Sequence, residues 1–233
     1  MKPTLMHITC TGIDQATDLG RLCLLQKMFP IAEFGVLLSA KLQNSPRYPG
    51  TEFIHSLRGL GLNLALHLCG SLAREAAVGN WNPTEDLLGD AFSLFRRIQI
   101  NIAGYARERL PEWLSISVPE SAREVIIQQK GADDCNLFLD AVARDSHISV
   151  LLDASGGRGV YTSPKALGRQ YKVGFAGGLD MDSVKDAMPA ILASKNVDLF
   201  WVDAEGRLRN DNDTFSIEKA QQFITSTLAT YFG

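Results

Sequence analysis

Residues 150–159 read VLLDASGGRG. The apolar run begins at Ile148, stops on Asp153 and gives way to GGRG at residues 156–159. A run this short, aliphatic and without helical period reads as a strand buried on both faces, which is what parallel strands are. Glycines directly after it remove side chains where a loop moves or where backbone comes close to a ligand. Asp153 itself reads in two ways. It is either the cap of the turn that follows or an acid presented at the carboxyl end of a strand.

Seven other runs share this character: TLMHIT from Thr4, IAEFGVL from Ile31, LNLALHL from Leu62, RIQIN from Arg97, EVIIQQ from Glu124, YKVGFA from Tyr171 and VDLFWVD from Val197. Segments with apolar residues every three or four positions lie between them, among them residues 13–28 and 133–142, and a last one is SIEKAQQFITSTLATYF at 216–232. The helix after YKVGFA opens at Gly177-Gly178-Leu179-Asp180, with Asp180 as its expected N-cap. Residues 71–94 leave room for an extra turn or short helix, and the sixth helix is short, about SPKALGRQ at 163–170. Eight strands alternating with helices predict a (β/α)8 TIM barrel, one domain over residues 1–233. An open doubly wound sheet needs a GxGxxG turn after its first strand, and CTGIDQ lacks it. A barrel works at the carboxyl ends of its strands, so the residues just after each run are the ones to inspect.

Composition narrows the partners. The chain is 45% hydrophobic and 21% charged with a formal charge of -3, enough to bury a core and without the dense positive stretch that nucleic acid or an anionic membrane requires. A small-molecule substrate is expected, with the chain as monomer or homodimer. Cys10, Cys23, Cys69 and Cys135 are far apart and have no CxxC or Cys/His spacing, so reduced thiols are expected and no metal site. The opening MKPTLMHITCTG has one lysine and no long apolar stretch, and no later segment has the length of a membrane span, which gives a cytoplasmic expectation.

Taken together, the strand ends resemble the phosphoribosylanthranilate isomerase family of tryptophan biosynthesis. Ile8-Thr9-Cys10-Thr11-Gly12-Ile13 is similar to the family's Ile-Cys-Gly-Ile, and Ser45-Pro46-Arg47-Tyr48 to its Ser-Lys-Arg-Tyr. Ile98-Gln99-Ile100-Asn101 resembles Val-Gln-Leu-His, Leu151-Leu152-Asp153 with Gly156-Gly157-Arg158-Gly159 resembles Leu-Leu-Asp with its glycine loop, and Ala176-Gly177-Gly178-Leu179 resembles Ser-Gly-Gly-Leu. The resemblance implies an Amadori rearrangement of an aldosylamine to a 1-amino-1-deoxyketose, on a phosphorylated sugar amine and without metal or organic cofactor. It makes Asp153 the general acid that opens the furanose ring. It makes Gly177 and Gly178 phosphate binders through bare amides at a helix start, and Arg47 the partner of a substrate carboxylate. Gln99, Asn101, Gly156, Gly157 and Arg158 join the substrate-binding set.

Three departures bear on the chemistry. Strand alternation sets Met6, Ile8 and Cys10 on one face and His7, Thr9 and Thr11 on the other. The polar set is expected to face the lumen, which puts Thr11 where the family has its catalytic cysteine. Cys10 is the candidate base if a shift or bulge turns it inward. The family's Asp-Val-Ser-Ser-Gly at the eighth strand is here Val202-Asp203-Ala204-Glu205-Gly206. Asp203 is expected to bind a substrate hydroxyl, Glu205 repels a phosphate if it points inward, and Arg207 or Arg209 could compensate. Asn101 stands in place of a histidine, keeping hydrogen bonds and losing a titratable group. The alternatives are a diverged epimerase or lyase that uses Asp153 with Asp203 or Glu205, and a non-catalytic binding barrel.

Overall fold

The computed structural model describes residues 2–102, 119–130, 147–153, 155, 170–194 and 197–233. Its eight strands are β1 (Thr4–Thr11), β2 (Ala32–Leu38), β3 (Leu64–Leu68), β4 (Arg97–Ile100), β5 (Glu124–Gln129), β6 (Ile148–Asp153), β7 (Gln170–Ala176) and β8 (Val197–Ala204). Each pairs in parallel with the next, and β8 pairs with β1, closing a barrel in sequence order. The (β/α)8 fold read from the sequence is therefore the observed one, with strand ends within two residues of the expected runs.

The helices follow local chemistry. Residues 13–28 were expected to be helical throughout, but the helix is Leu19–Met28. Asp18 starts it by accepting from the Arg21 amide at 3.0 Å, while Asp14 and Thr17 turn the backbone before it: Ala16 donates to Asp14 Oδ1 at 3.0 Å. The stretch 71–94 holds two short helices, Gly70–Ala76 and Asn82–Leu88, and a 3-10 turn at Gly89–Leu94. The last helix, Ile217–Phe232, is capped by Ser216 Oγ, which accepts from the Lys219 amide at 3.3 Å. The expected segments 133–142 and 163–169 lie outside the described residues.

The outer layer, between strands and helices, is apolar: Ile8, Cys10, Phe34, Leu66, Ile98, Ile127, Val150 and Phe200 meet Leu22, Phe223 and Ile224. One face assignment changes. The register of β1 against β8 shifts between Leu5 and His7, so Met6 is the extra residue of a bulge and Leu5 joins Ile8 and Cys10 in the core. Inside the barrel, Ile126, Leu151 and Trp201 form a small apolar plug. Gly174 faces this plug, since a Cβ there would strike the Trp201 ring and Leu151 Cδ1. Gly174→Ala is expected to lose about 1–3 kcal/mol by overpacking, read as a lower midpoint in urea denaturation.

Below the plug lies a buried ionic layer. Arg97 donates from Nε to Glu124 at 2.7 Å and from Nη1 to Glu33 at 2.6 Å, and Lys172 reaches Glu124 at 2.7 Å. Thr9 Oγ1 donates to Glu33 at 2.9 Å, and the Arg97 guanidinium stacks on Trp201 at 4.5 Å from the ring centre. Arg97 and Glu124 are the first residues of β4 and β5, so this layer closes the amino-terminal end and leaves the opposite mouth open.

Candidate active site

The carboxyl ends of the strands surround a cavity of about 560 Å³, within the range of small-molecule sites. Arg47, Gln99, Asn101, Asp153, Gly177, Gly178, Asp203 and Glu205 line it, as the sequence reading expects. His67, Cys69, Tyr48, Gln128 and Leu37 also line it, and these the sequence reading missed. The missed signal was the same alternation used for the first strand. His67 is the polar residue of an apolar LALHL run, and Gln128 is two residues beyond the inward Ile126. Gly156, Gly157 and Arg158 lie outside the described residues.

Asp153 ends β6 and is buried. Its Oδ1 accepts from the Ser155 amide at 3.0 Å and the Ser155 hydroxyl at 2.7 Å, and its Oδ2 accepts from the Gln128 side-chain amide at 2.7 Å. The carboxyl group that organises the turn also lines the cavity.

Asp203, on β8, is also buried on the cavity wall, and its Oδ1 accepts from Thr11 Oγ1 at 2.7 Å. Burial carries the Asp203 carboxyl up to about 8 against the opposing Thr11 hydrogen bond, with the charges of Glu205, Glu33 and Asp153 adding to the rise. Thr11 fits here because residue 35 is glycine: a Cβ at Gly35 would run into the Thr11 hydroxyl and approach His67 Nε2 to 3.0 Å. His67 is driven down to about 3 by burial and by the charge of Arg97, so its ring is neutral. Gln99 Nε2 donates to Asn101 Oδ1 at 2.8 Å and stands 3.2 Å from His67 Nδ1, which accepts from it and leaves the ring proton on Nε2.

Cys10 is the main correction. Its side chain belongs to the outer apolar layer, fully buried and outside the cavity, while Thr11 faces the lumen. The bulge that could have turned Cys10 inward falls at Met6, too early in the strand to change the face of residue 10. Burial raises the thiol well above its ordinary range, with Asp203 and Glu33 adding to the effect, so no thiolate forms there to act as a base. Cys10, Cys23 and Cys69 carry free thiols.

Three other expectations also change. Arg47, expected to await a substrate carboxylate, is bonded through Nε to both Asp213 oxygens at 3.0 and 3.1 Å and through Nη1 to Glu205 at 3.3 Å. Arg209 is committed to structure: it is buried, donates to the Gly12 carbonyl at 2.7 Å and to Asp14 at 2.6 Å, and ties the loop after β1 to the loop after β8. The glycine pair does not open a helix. Gly177 and Gly178 have φ of +113° and +69°, which suit glycine, but the next helix starts at Ser183. The helix end is occupied by Asp180, whose Oδ1 accepts from the amides of Asp182 at 3.0 Å and Ser183 at 2.8 Å. The glycine turn itself lines the cavity, as does Arg207, which lies 3.7 Å from Asp180.

Among the described residues no group of three or more His, Cys, Asp or Glu side chains could hold a metal ion, and no helix is long and apolar enough to cross a membrane. No protein-family model matches the chain, and no curated protein matches it. Solved structures do. An N-(5'-phosphoribosyl)anthranilate isomerase from Pyrococcus furiosus matches with a TM-score of 0.55 and 17% identity, over 96% of this chain and 99% of its own. A phosphoribosyl anthranilate isomerase from Thermus thermophilus matches with a TM-score of 0.59 and 15% identity, over 96% and 99%. Another, in complex with reduced 1-(O-carboxyphenylamino)-1-deoxyribulose 5-phosphate, matches with a TM-score of 0.57 and 14% identity, over 97% and 100%. The chain is structurally similar to these enzymes along nearly its whole length.

Proposed function

We propose that this chain is an isomerase that rearranges a phosphorylated aldosylamine, phosphoribosylanthranilate or a close relative, into its 1-amino-1-deoxyketose. The observation that carries the reading is the pair of buried carboxyls, Asp153 and Asp203, on the wall of one polar cavity whose rim includes the Gly177–Gly178 turn. The structural neighbours are isomerases of this type, and one of them was solved with a phosphorylated amino-ketose analogue.

The rearrangement needs one group to protonate the ring oxygen and one to take the proton from C2. Two carboxyls on the wall of the same cavity supply both needs without a thiolate. Thr11 has no basicity of its own and acts by orienting Asp203. The glycine-turn amides and Arg207 hold the phosphate in this reading, replacing the hydroxyls that the family resemblance would have put after the eighth strand. Arg47 binds a carboxylate of the substrate by exchanging partners with Glu205 or Asp213, both at the protein surface end of the pair.

The test is turnover. Purified protein incubated with phosphoribosylanthranilate in buffer without added metal is expected to form the carboxyphenylamino-deoxyribulose phosphate, followed by chromatography. In parallel, inorganic phosphate is expected to shift the amide resonances of Gly177 and Gly178. No product and no shift would sink the reading.

A further inference from the structure

We propose that Asp203 holds the proton that opens the sugar ring and that Asp153 is the carboxylate that takes the proton from C2, the reverse of the role the family resemblance implies for Asp153. The assignment rests on the isomerase reading above.

Hydrogen-bond inventory separates the two groups. Both oxygens of Asp153 are already acceptors, from the Gln128 amide at 2.7 Å and from Ser155 at 3.0 and 2.7 Å. An amide N–H can only donate, so both oxygens of Asp153 are held as acceptors at the end of β6, the arrangement suited to receiving a proton. Asp203 has a different setting. It is 6% exposed and accepts the Thr11 hydroxyl at 2.7 Å on Oδ1. The charges that bear on it most are negative, from Glu205 beyond β8, Glu33 on β2 and Asp153 on β6. Among the described residues the nearby cations are paired with other carboxylates: Arg97 with Glu33 and Glu124, Arg209 with Asp14 and Asp213, and Arg207 with Asp180 at 3.7 Å. His67 on β3 is neutral, Lys172 on β7 is engaged by Glu124 in the lower layer, and Arg47 is shared by Glu205 and Asp213. A buried carboxyl among carboxylates keeps its proton, and burial with those charges carries Asp203 up to about 8.

The proton cycle closes with these two residues alone. Asp203 gives its proton to the ring oxygen as the C1–O bond breaks, the oxygen keeps the bonding pair, and the amine lone pair forms C1=N. Asp153 takes the C2 proton, the C–H pair becomes C1=C2, and the C=N pair returns to nitrogen. Asp153 then returns its proton to C1 while the C2 hydroxyl gives its proton to Asp203, leaving a ketone. Both carboxyls end as they began, and no oxidant or cofactor is consumed.

Carbon-13 NMR of the aspartate carboxyls in the protein without substrate locates the proton directly. Asp203 is expected to titrate near 8. Thr11→Val is expected to move that midpoint upward, because a donor to the ionised form is lost, and Thr11→Ser to leave it in place. With an active substrate, kcat/KM of the parent should fall above the same midpoint. Asp203→Asn should lose that limb and about a hundredfold or more of the rate. A proton found on Asp153 with Asp203 ionised at neutral pH overturns the assignment, and so does an unchanged pH profile in Asp203→Asn. If no sugar amine is turned over while Asp203 still titrates near 8, the isomerase reading is what fails and the catalytic role falls with it, but the location of the proton stands.

Discussion

Asp153→Asn should lower kcat on phosphoribosylanthranilate by about two to four orders of magnitude, the usual range for a positioned acid or base. The asparagine matches the shape of the aspartate and neither takes nor gives a proton. Its carbonyl oxygen still accepts from Ser155, so the turn at the end of β6 survives. Gln128 loses its partner unless its own amide flips to offer its oxygen to the new NH2. KM should therefore change much less than kcat, and circular dichroism and urea midpoints should stay near those of the parent. A variant with parental kcat would reduce Asp153 to a turn cap and move the proton chemistry elsewhere in the cavity.

The second large effect is on stability. Arg97→Met should cost about 3–5 kcal/mol, because it leaves buried carboxylates without their main counter-charge. Glu33 would keep Thr9, and Glu124 would keep Lys172. Adding Glu33→Gln and Glu124→Gln to Arg97→Met should restore much of the loss, since the buried negative charge is then gone. Chemical denaturation of the single and triple variants decides this, and equal losses in both would show that packing on Trp201, not charge, is what Arg97 supplies. The parent also has an acid limb. Burial alone would raise the Glu124 carboxyl, yet Arg97 and Lys172 together hold it down to about 2, below its ordinary 4.5. That contribution is complete above 4.5 and is lost as pH falls toward 2, so the parent should weaken over that window.

The sequence alone was sufficient for the barrel and for the inward-facing set. Runs such as EVIIQQ and ISVLLD coincide with β5 and β6, because a strand's character depends on residues adjacent in the chain. Alternation likewise turned Thr9 and Thr11 inward, and it would have found His67 and Gln128 had it been applied to every run. The glycine turn and Asp153 were legible as the end of a strand for the same reason.

Tertiary structure decided which of these residues meet. Thr11 and Asp203 are 192 positions apart and touch because β8 closes on β1. Arg47 is bound by Glu205 and Asp213, and Arg209 by Gly12 and Asp14, partners far away in the chain that local sequence does not indicate, while only the Arg209–Asp213 pair, four positions apart, is local. Cys10 kept its outward face because the bulge in β1 lies at Met6, a register shift set by pairing with a strand from the far end of the chain. Local periodicity assigns a residue to a face, but a carboxyl's partners and desolvation come from strands brought together by folding, and those determine whether it carries a proton.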